Sequence, residues 1–232
     1  MESTEKEKTK ENQVSMNDFV EIEYTGKTAQ EQIVFDTTYE KTAKENDLFR
    51  EGVKYGGIII CIGHKHVVQG LDEALVEKEI GKQFNVTIPS DKAFGKKTGK
   101  LLQLIATNKF LKDQIQPMPG LQVNVDGNIG VIKTVTGGRT LVDFNHPLAG
   151  KDVIYTCSIK RKVDNTEEKV KGLLQLTLQI NDTKIKIDGK KVVITLEEEL
   201  PKEIVEHINQ QFKLIIPEIE EFVFVSLKTN KQ

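Results

Sequence analysis

Short segments in which apolar and polar residues alternate constrain the fold of this chain more than any other feature. Phe19–Tyr24 alternates in this way, and so does Gln83–Ile88, which Pro89 stops. A period of two residues turns one face of a strand towards a core and the other towards water. Residues 32–36 and 56–63 add two further strands, the second of them buried. These segments predict four strands in the first part of the chain.

One short helix is predicted among these strands, over residues 70–81. Its apolar residues recur on one helical face, acidic residues occupy its first turn, and Gly81 suits the position just after a helix end. Residues 1–15 differ from the rest because lysine and glutamate alternate there with almost no apolar content. Such composition predicts a disordered tail.

The middle of the chain changes character after a polar, glycine-containing linker at residues 95–100. Two apolar segments with a partly helical period follow, and then two hairpin signals with Asp126-Gly127 and Gly137-Gly138 at their turns. Both pairs suit turn positions that need a positive φ. We therefore predict a compact β-rich insert of about 45 residues, after which the main unit resumes with a strand at residues 153–159.

The last part of the chain predicts a small α+β domain. It begins after a second polar linker at residues 164–169. A helix is expected from Leu200, with Pro201 in its tolerated first turn. The predicted strands of this domain are residues 173–180, 184–187, 191–196, 213–216 and 221–227.

Composition excludes several classes of protein. The chain has 33 basic and 35 acidic residues, whereas a nucleic-acid clamp needs a basic excess or stripe. No stretch approaches the ~18 apolar residues of a membrane span. The N-terminus lacks the apolar segment of a signal peptide, and only two cysteines, Cys61 and Cys157, occur. We expect a cytoplasmic protein that does not bind membranes, and nucleic acid is not its expected partner.

Several motifs occur in a fixed order. They are VEIEYTG (20–26), VFDTT (34–38), GHKHVVQGLDEAL (63–75) and KAFG (92–95). In this order and spacing they resemble the FKBP family of prolyl isomerases. VDFNHPLAGKDVIY (142–155) resembles the SlyD branch, in which a chaperone module called the insert-in-flap domain interrupts the FKBP unit. The additional C-terminal domain is similar to that of archaeal long-type FKBPs.

The resemblance implies a specific architecture of class α+β. An FKBP-like antiparallel β half-barrel wraps on a short helix and is discontinuous, over residues 16–97 and 144–163. The insert-in-flap domain occupies residues 98–143, and the small α+β domain occupies residues 165–232.

The chemistry that the resemblance implies breaks no bond. Rotation about an Xaa-Pro amide faces a barrier of ~18–20 kcal/mol. The twisted amide is less polar than the planar one, so a dry apolar pocket with a few polar groups favours it. A thousandfold acceleration requires only ~4 kcal/mol. No nucleophile, base, metal or cofactor is therefore expected.

The resemblance also assigns residues to this pocket. Those that act on the prolyl bond are Tyr24, Asp36, Phe94 and Tyr155, with Asp36 facing the substrate amide. The implied substrate-binding walls, lip and floor are Phe35, Ile58, Ile60, Val67, Val68, Leu71 and Ala93. Phe94 stands where the family has tyrosine, and the missing hydroxyl removes a hydrogen bond worth roughly 0.5–1.5 kcal/mol. Any macrolide binding is therefore expected to be weak.

Other interpretations of these residues remain open. Without the resemblance, the aromatic and aliphatic members would be core residues, and Asp36 would be a solvated turn residue. Cys61, His64 and His66 have the residue types of a metal cluster. However, Cys61 lies in an apolar strand, where a free cysteine is commonly buried, and no fourth ligand is evident. We expect no metal site there, and we expect His146 to fix the return from the insert.

The insert contains more apolar residues than about 45 residues can bury well. They form either the core of the module or an exposed groove for unfolded chains. Phe110, Leu111 and Met118 are the residues we assign to an exposed chaperone surface.

The sequence thus predicts a prolyl isomerase with a chaperone insert that binds unfolded or proline-containing polypeptides. A second interpretation is a binding-only chaperone with a weak pocket, and Phe94 motivates it. A third is a ribosome-associated factor that contacts RNA through Lys96-Lys97, Lys109 and Lys112, which the near-neutral charge disfavours. The C-terminal domain is a candidate for homodimerisation.

Overall fold

The computed structural model describes residues 12–181 and 183–227. The first elements are β1 (Phe19–Thr28), β2 (Val34–Thr37), α1 (Glu40–Glu45), β3 (Ile58–Cys61), α2 (Gln69–Leu75) and β4 (Gln83–Ile88). The insert contains β5 (Leu102–Ala106), α3 (Thr107–Lys112), β6 (Gln122–Val125), β7 (Asn128–Thr136) and β8 (Arg139–Asp143). The remaining elements are β9 (Val153–Lys162), α4 (Thr166–Leu178), β10 (Lys184–Asp188), β11 (Lys191–Leu196), α5 (Lys202–Ile215) and β12 (Glu221–Ser226).

The main sheet is antiparallel and packs against the short helix α2. Its strand order is β2-β1-β9-β4, and β3 also pairs with β1. Strands β2 and β3 share one edge of β1, at opposite ends of that strand. Gly70 lets α2 approach the sheet closely, because a Cβ there would lie 2.3 Å from Cγ2 of Ile88 in β4. This arrangement confirms the α+β class and the half-barrel on a short helix.

The insert forms a separate four-stranded antiparallel sheet in the order β5-β8-β7-β6, with its own small core. In the sequence the insert lies between β4 and β9. These two strands pair with each other, and Ile88 and Val153 form the pair nearest to the insert. Its two ends meet at a narrow neck. There the Thr98 N–H donates to the Asn145 side chain, and the Asn145 side-chain amide donates to the Thr98 carbonyl.

The C-terminal unit packs directly on the main domain. Strands β11 and β12 are parallel and connected through α5, while β10 and β11 form a hairpin. Alternate residues of β3 face different cores. Ile58 and Ile60 pack in the core around α2, whereas Ile59 and Cys61 pack in a core formed mainly by α4, β11 and α5. This burial on both faces explains why β3 is apolar throughout.

Two predicted boundaries near the N-terminus are wrong. The helix predicted over residues 70–81 ends at Leu75 because the following backbone pairs with residues 12–14 instead of continuing the helix. The Val14 N–H donates to the Lys78 carbonyl, and the Glu77 N–H donates to the Val14 carbonyl. Val14 is completely buried, so residues 12–15 belong to the fold and not to the predicted tail. Residues 1–11 of that tail lie outside the described residues.

Three further predictions are wrong in the C-terminal unit. The polar linker at residues 164–169 and the strand at residues 173–180 are replaced by α4, whose first turn is capped by the Asn165 side chain. Most of the strand predicted at residues 213–216 belongs to α5. Pro201, which was expected in the first turn of this helix, is its N-cap residue. In the β-rich insert, the apolar segment at residues 102–106, whose period is partly helical, forms strand β5. None of the helices in residues 12–181 and 183–227 is long and apolar enough to cross a lipid bilayer.

The close approach of α4 to β3 gives a stability prediction. A Cβ on Gly172 would lie 2.7 Å from the Ile59 Cβ, so Gly172→Val is expected to lower the free energy of unfolding by about 1–3 kcal/mol through overpacking. Urea unfolding of both proteins measures this. Gly99→Val is the matched control, because a Cβ at Gly99 would meet nothing within 4 Å. Equal loss in both variants would contradict the tight contact between α4 and β3.

Candidate functional site

The apolar residues that the sequence assigned to a pocket share one cluster around α2. Tyr155, Ile60 and Leu71 are buried in it. The partly buried members that pack against this cluster are Tyr24, Phe35, Ile58, Val67, Val68, Ala93 and Phe94. The structure therefore brings together side chains from β1, β2, β3, β9, the start of α2 and the segment after β4.

Tyr24 and Asp36 form the polar group of this site. The Tyr24 hydroxyl donates to Oδ2 of Asp36 over 2.8 Å, from the neighbouring strands β1 and β2. Burial, and then the negative charge of Asp36, raise the pKa of Tyr24 well above its usual range, so the hydroxyl remains a donor. The Asp36 side chain is exposed. The site thus presents a carboxylate of fixed orientation at the edge of an apolar cluster.

Four aromatic rings form a continuous wall next to this pair. Tyr155 meets Tyr24 edge-to-face with ring centroids 5.5 Å apart and also meets Phe35 at 5.8 Å. Phe35 in turn meets Phe94 at 5.4 Å. Gly26 makes room for the wall, because a Cβ there would lie 2.9 Å from both Phe35 and Tyr155. Burial raises the pKa of Tyr155, with Asp36 adding to the effect, so its hydroxyl also stays neutral.

The loop before α2 positions the valine pair at the rim of the cluster. Asp72, which is buried, accepts hydrogen bonds from the Gly63 and Lys65 N–H groups, both at 2.9 Å. The Val68 carbonyl accepts hydrogen bonds from the Leu71 and Asp72 N–H groups of α2. The loop backbone is therefore fixed by a carboxylate on the helix that it precedes. Sequence reasoning missed this role of Asp72, although the residue stands inside one of the recognised motifs.

Phe94 links the pocket to the neck of the insert. Its ring stacks on His146 with centroids 4.8 Å apart and an interplanar angle of 1°. The Gly150 N–H donates to the Gly95 carbonyl beside this pair. His146 thus contacts a pocket residue, a role that the sequence interpretation had not given it.

A cavity of about 470 Å³ opens beside Tyr24. Of the residues that the sequence assigned to the site, only Tyr24, Phe35, Asp36 and Ile58 line it. The cavity continues along the loop between α1 and β3 and reaches α4 of the C-terminal unit. Sequence reasoning missed this extension, because residues 39–56 carry no periodic pattern and α4 was expected to be a linker and a strand.

The predicted chaperone surface is partly wrong. Phe110 is only 2% exposed and forms the core of the insert, because α3 turns it onto the sheet. Leu111 and Met118 are 47% and 54% exposed, as expected for such a surface. Leu104 and Ile129, which the sequence analysis did not select, are still more exposed at 61% and 62%.

The three candidate metal ligands each have a structural partner. Burial raises the pKa of the Cys61 thiol to about 12, and its sulfur donates to the Asn17 carbonyl. His66 Nδ1 accepts the Cys61 N–H, and His64 Nε2 bonds to the Asn17 side chain. Burial also lowers the pKa of His66, which favours its neutral form. Within the described residues, no group of three or more His, Cys, Asp or Glu side chains could hold a metal ion.

Comparisons with known proteins show which families this chain is similar to. A family model described as "FKBP-type peptidyl-prolyl cis-trans isomerase" matches residues 10–116, and one described as "FKBP26, IF domain" matches residues 103–148. The short-type peptidyl-prolyl cis-trans isomerase of Methanocaldococcus jannaschii is 30% identical over 149 residues, which cover 64% of this chain and 94% of that protein. The FKBP-type isomerase SlyD of Treponema pallidum is 29% identical over 127 residues, or 51% of this chain and 69% of its own length. SlyD of Escherichia coli is 26% identical over 141 residues, which cover 60% and 72% of the two chains.

Proposed function

Because this chain belongs to the FKBP-type peptidyl-prolyl cis-trans isomerase family and carries an insert-in-flap domain of the FKBP26 type, we propose that the cluster around Tyr24 and Asp36 is where it accelerates rotation about Xaa-Pro bonds. The observation that supports this most strongly is the hydrogen bond between Tyr24 and Asp36 at the edge of the aromatic wall. It combines one aimed carboxylate with an apolar surface that excludes water, which is what the twisted prolyl amide requires.

The proposed mechanism uses only binding and orientation. The proline ring packs against the aromatic wall, where the less polar twisted amide is favoured over the planar ground state. Asp36, oriented by Tyr24, faces the substrate amide. The Val68 N–H donates a hydrogen bond to the substrate backbone, because the Val68 carbonyl already accepts hydrogen bonds from α2. A gain of about 4 kcal/mol in the transition state corresponds to a thousandfold acceleration.

We assign the insert a second role as a holding surface for unfolded chains. Its exposed apolar residues, Leu104, Leu111, Met118 and Ile129, are in a unit too small to bury them. Tethering a client beside the pocket raises the local concentration of its prolines, to the mM range for a short flexible connection.

A binding-only chaperone is the second candidate. The presence of phenylalanine at position 94, where the family has tyrosine, favours it. With tyrosine replaced by phenylalanine, the ring stacks on His146 and provides no hydroxyl for the pocket. An assay of cis-trans isomerisation on a short proline peptide separates the two candidates. The isomerase proposal predicts acceleration in proportion to protein concentration, whereas a rate equal to that in buffer would leave only the chaperone.

The remaining parts of the proposal concern partners and location. Polypeptides are the proposed clients, any macrolide binding is weak, and the near-neutral net charge of −2 disfavours an RNA partner. The C-terminal unit exposes apolar side chains such as Leu214, which supports self-association there. Both cysteines are free and buried, which suits a reducing cytoplasm.

A further inference from the structure

The cavity beside Tyr24 has a wall that comes from another domain. Gln175 and Leu176 of α4 and Gln179, just after the end of that helix, line it together with residues of the strands that carry the proposed isomerase site. Its volume of about 470 Å³ lies in the range of about 300–1,000 Å³ that is common for ligand sites. Because Tyr24, Phe35 and Asp36 line it too, the cavity is continuous with the place where the prolyl bond would lie.

The wall formed by α4 is held rigidly in place. Leu173 and Leu174 are buried in the core between the two domains, and Gly172 rests against Ile59. Leu176 itself packs against the cluster around α2. A helix fixed in this way can position side chains for binding, in contrast to a loosely tethered domain.

The side chains that this wall presents are suited to an extended peptide. Within the described residues, neither the Gln175 nor the Gln179 side-chain amide has a hydrogen-bond partner, while Leu176 offers an apolar surface between them. A glutamine amide both donates and accepts, so it can pair with the N–H and C=O groups of a polypeptide backbone.

The cavity lining also carries positive charge. Arg50 and Lys54, in the loop between α1 and β3, line it, and neither forms an ion pair with another described residue. The carboxylate in the cavity, Asp36, accepts the hydrogen bond from Tyr24. A substrate segment that enters here therefore meets two cations that have no ion-pair partner among the described residues, and these cations favour an acidic side chain near them.

From this arrangement we propose that α4 and the loop between α1 and β3 form a second subsite, which binds the residues flanking the proline and prefers an acidic one. The inference rests on the proposed isomerase function and extends it from the prolyl bond to the sequence around it. The C-terminal unit then contributes a specificity-determining wall to the active site.

Matched proline peptides that carry glutamate or lysine at each position within four residues of the proline test the subsite. At low salt, the best glutamate peptide is expected to exceed its lysine counterpart by about two- to fivefold in kcat/KM, the range that exposed ion pairs supply. The difference should lie in KM and shrink as salt rises. The double variant Arg50→Glu/Lys54→Glu should reverse the preference, and Gln175→Glu should weaken it.

The control is Lys213→Glu, which makes the same type of charge change on α5, away from the cavity. Equal kcat/KM for the two peptides in the wild type, or an unchanged ratio in the Arg50→Glu/Lys54→Glu variant, would overturn the subsite. If no peptide is accelerated at all, the isomerase proposal fails separately. Fluorescence anisotropy of the same peptides, labelled with a fluorophore, then tests the subsite independently of turnover. The subsite predicts that the glutamate peptide binds more tightly than the lysine peptide.

Discussion

Asp36→Ala is expected to lower kcat/KM for a short proline peptide by about ten- to hundredfold, equivalent to about 1.4–2.7 kcal/mol of transition-state stabilisation. The carboxylate is the polar group that this site aims at the substrate amide. Because Asp36 is exposed and its side chain bonds to Tyr24 alone among the described residues, the substitution should leave the fold intact. The measurement is the isomerisation rate at several substrate concentrations, with circular dichroism to verify folding.

A double-mutant cycle separates direct action of Asp36 from action through Tyr24. If Asp36 acts on the substrate, Asp36→Ala should still lower activity in a Tyr24→Phe background. Tyr24→Phe keeps the ring that packs against Tyr155, whereas Tyr24→Ala lowers activity and also removes part of the wall. The control is Asp164→Ala, which removes an exposed carboxylate that is not part of the site. Unchanged turnover in Asp36→Ala would show that the pocket is misplaced.

Deleting the insert is expected to separate the two proposed activities. The structure places the cut at residues 99–144, because Phe144 packs in the insert core while Thr98 and Asn145 bond to each other at the neck. A short glycine loop can join these two residues. Catalysis on a short peptide should stay within about threefold, whereas acceleration of a proline-limited refolding reaction should fall by about a hundredfold or more, since tethering raises the effective client concentration.

Point variants test the same claim without deleting a domain. Leu104→Lys and Met118→Lys place charge on the exposed apolar surface and should reduce help in refolding, while Thr134→Lys, at an exposed polar position of the insert, should not. Full refolding help from the deletion variant would move the chaperone role elsewhere. Loss of short-peptide catalysis would instead show that the Phe94–His146 stack makes the insert part of the pocket.

The sequence predicted those parts of the fold that local patterns encode. Strand β4 and the hairpin turn at Asp126-Gly127 follow from alternation and turn chemistry, which are properties of adjacent residues. Helix α4 was missed because its polar first turn has the composition of a linker, and only the Asn165 cap and packing on β3 make it a helix. Phe110 was wrongly assigned to the exposed surface, because the orientation of the short helix α3 decides which of its side chains faces the core of the insert.

Only the part of the site that lies within the sequence motifs could be predicted. Tyr24, Asp36 and Phe94 stand in motifs whose order carries the family resemblance. In the structure Tyr24 bonds to Asp36, and Tyr24 and Phe94 pack around the same apolar cluster. The cavity wall from α4 depends on docking between residues more than 100 positions apart in the chain, such as Gly172 on Ile59. A local sequence pattern cannot indicate a contact between residues so far apart in the chain, so this wall could not be predicted from the sequence.

The proposed function requires that a prolyl bond turn faster while it lies against the aromatic wall formed by Tyr24, Phe35, Phe94 and Tyr155. Two-dimensional exchange NMR on a short proline peptide, with a small amount of the protein added, tests it directly. Cis-trans exchange cross-peaks that are absent in buffer are expected, together with intermolecular contacts between the proline ring and the aromatic protons of this wall. Exchange as slow as in buffer, or a proline ring that contacts only the insert, would contradict it.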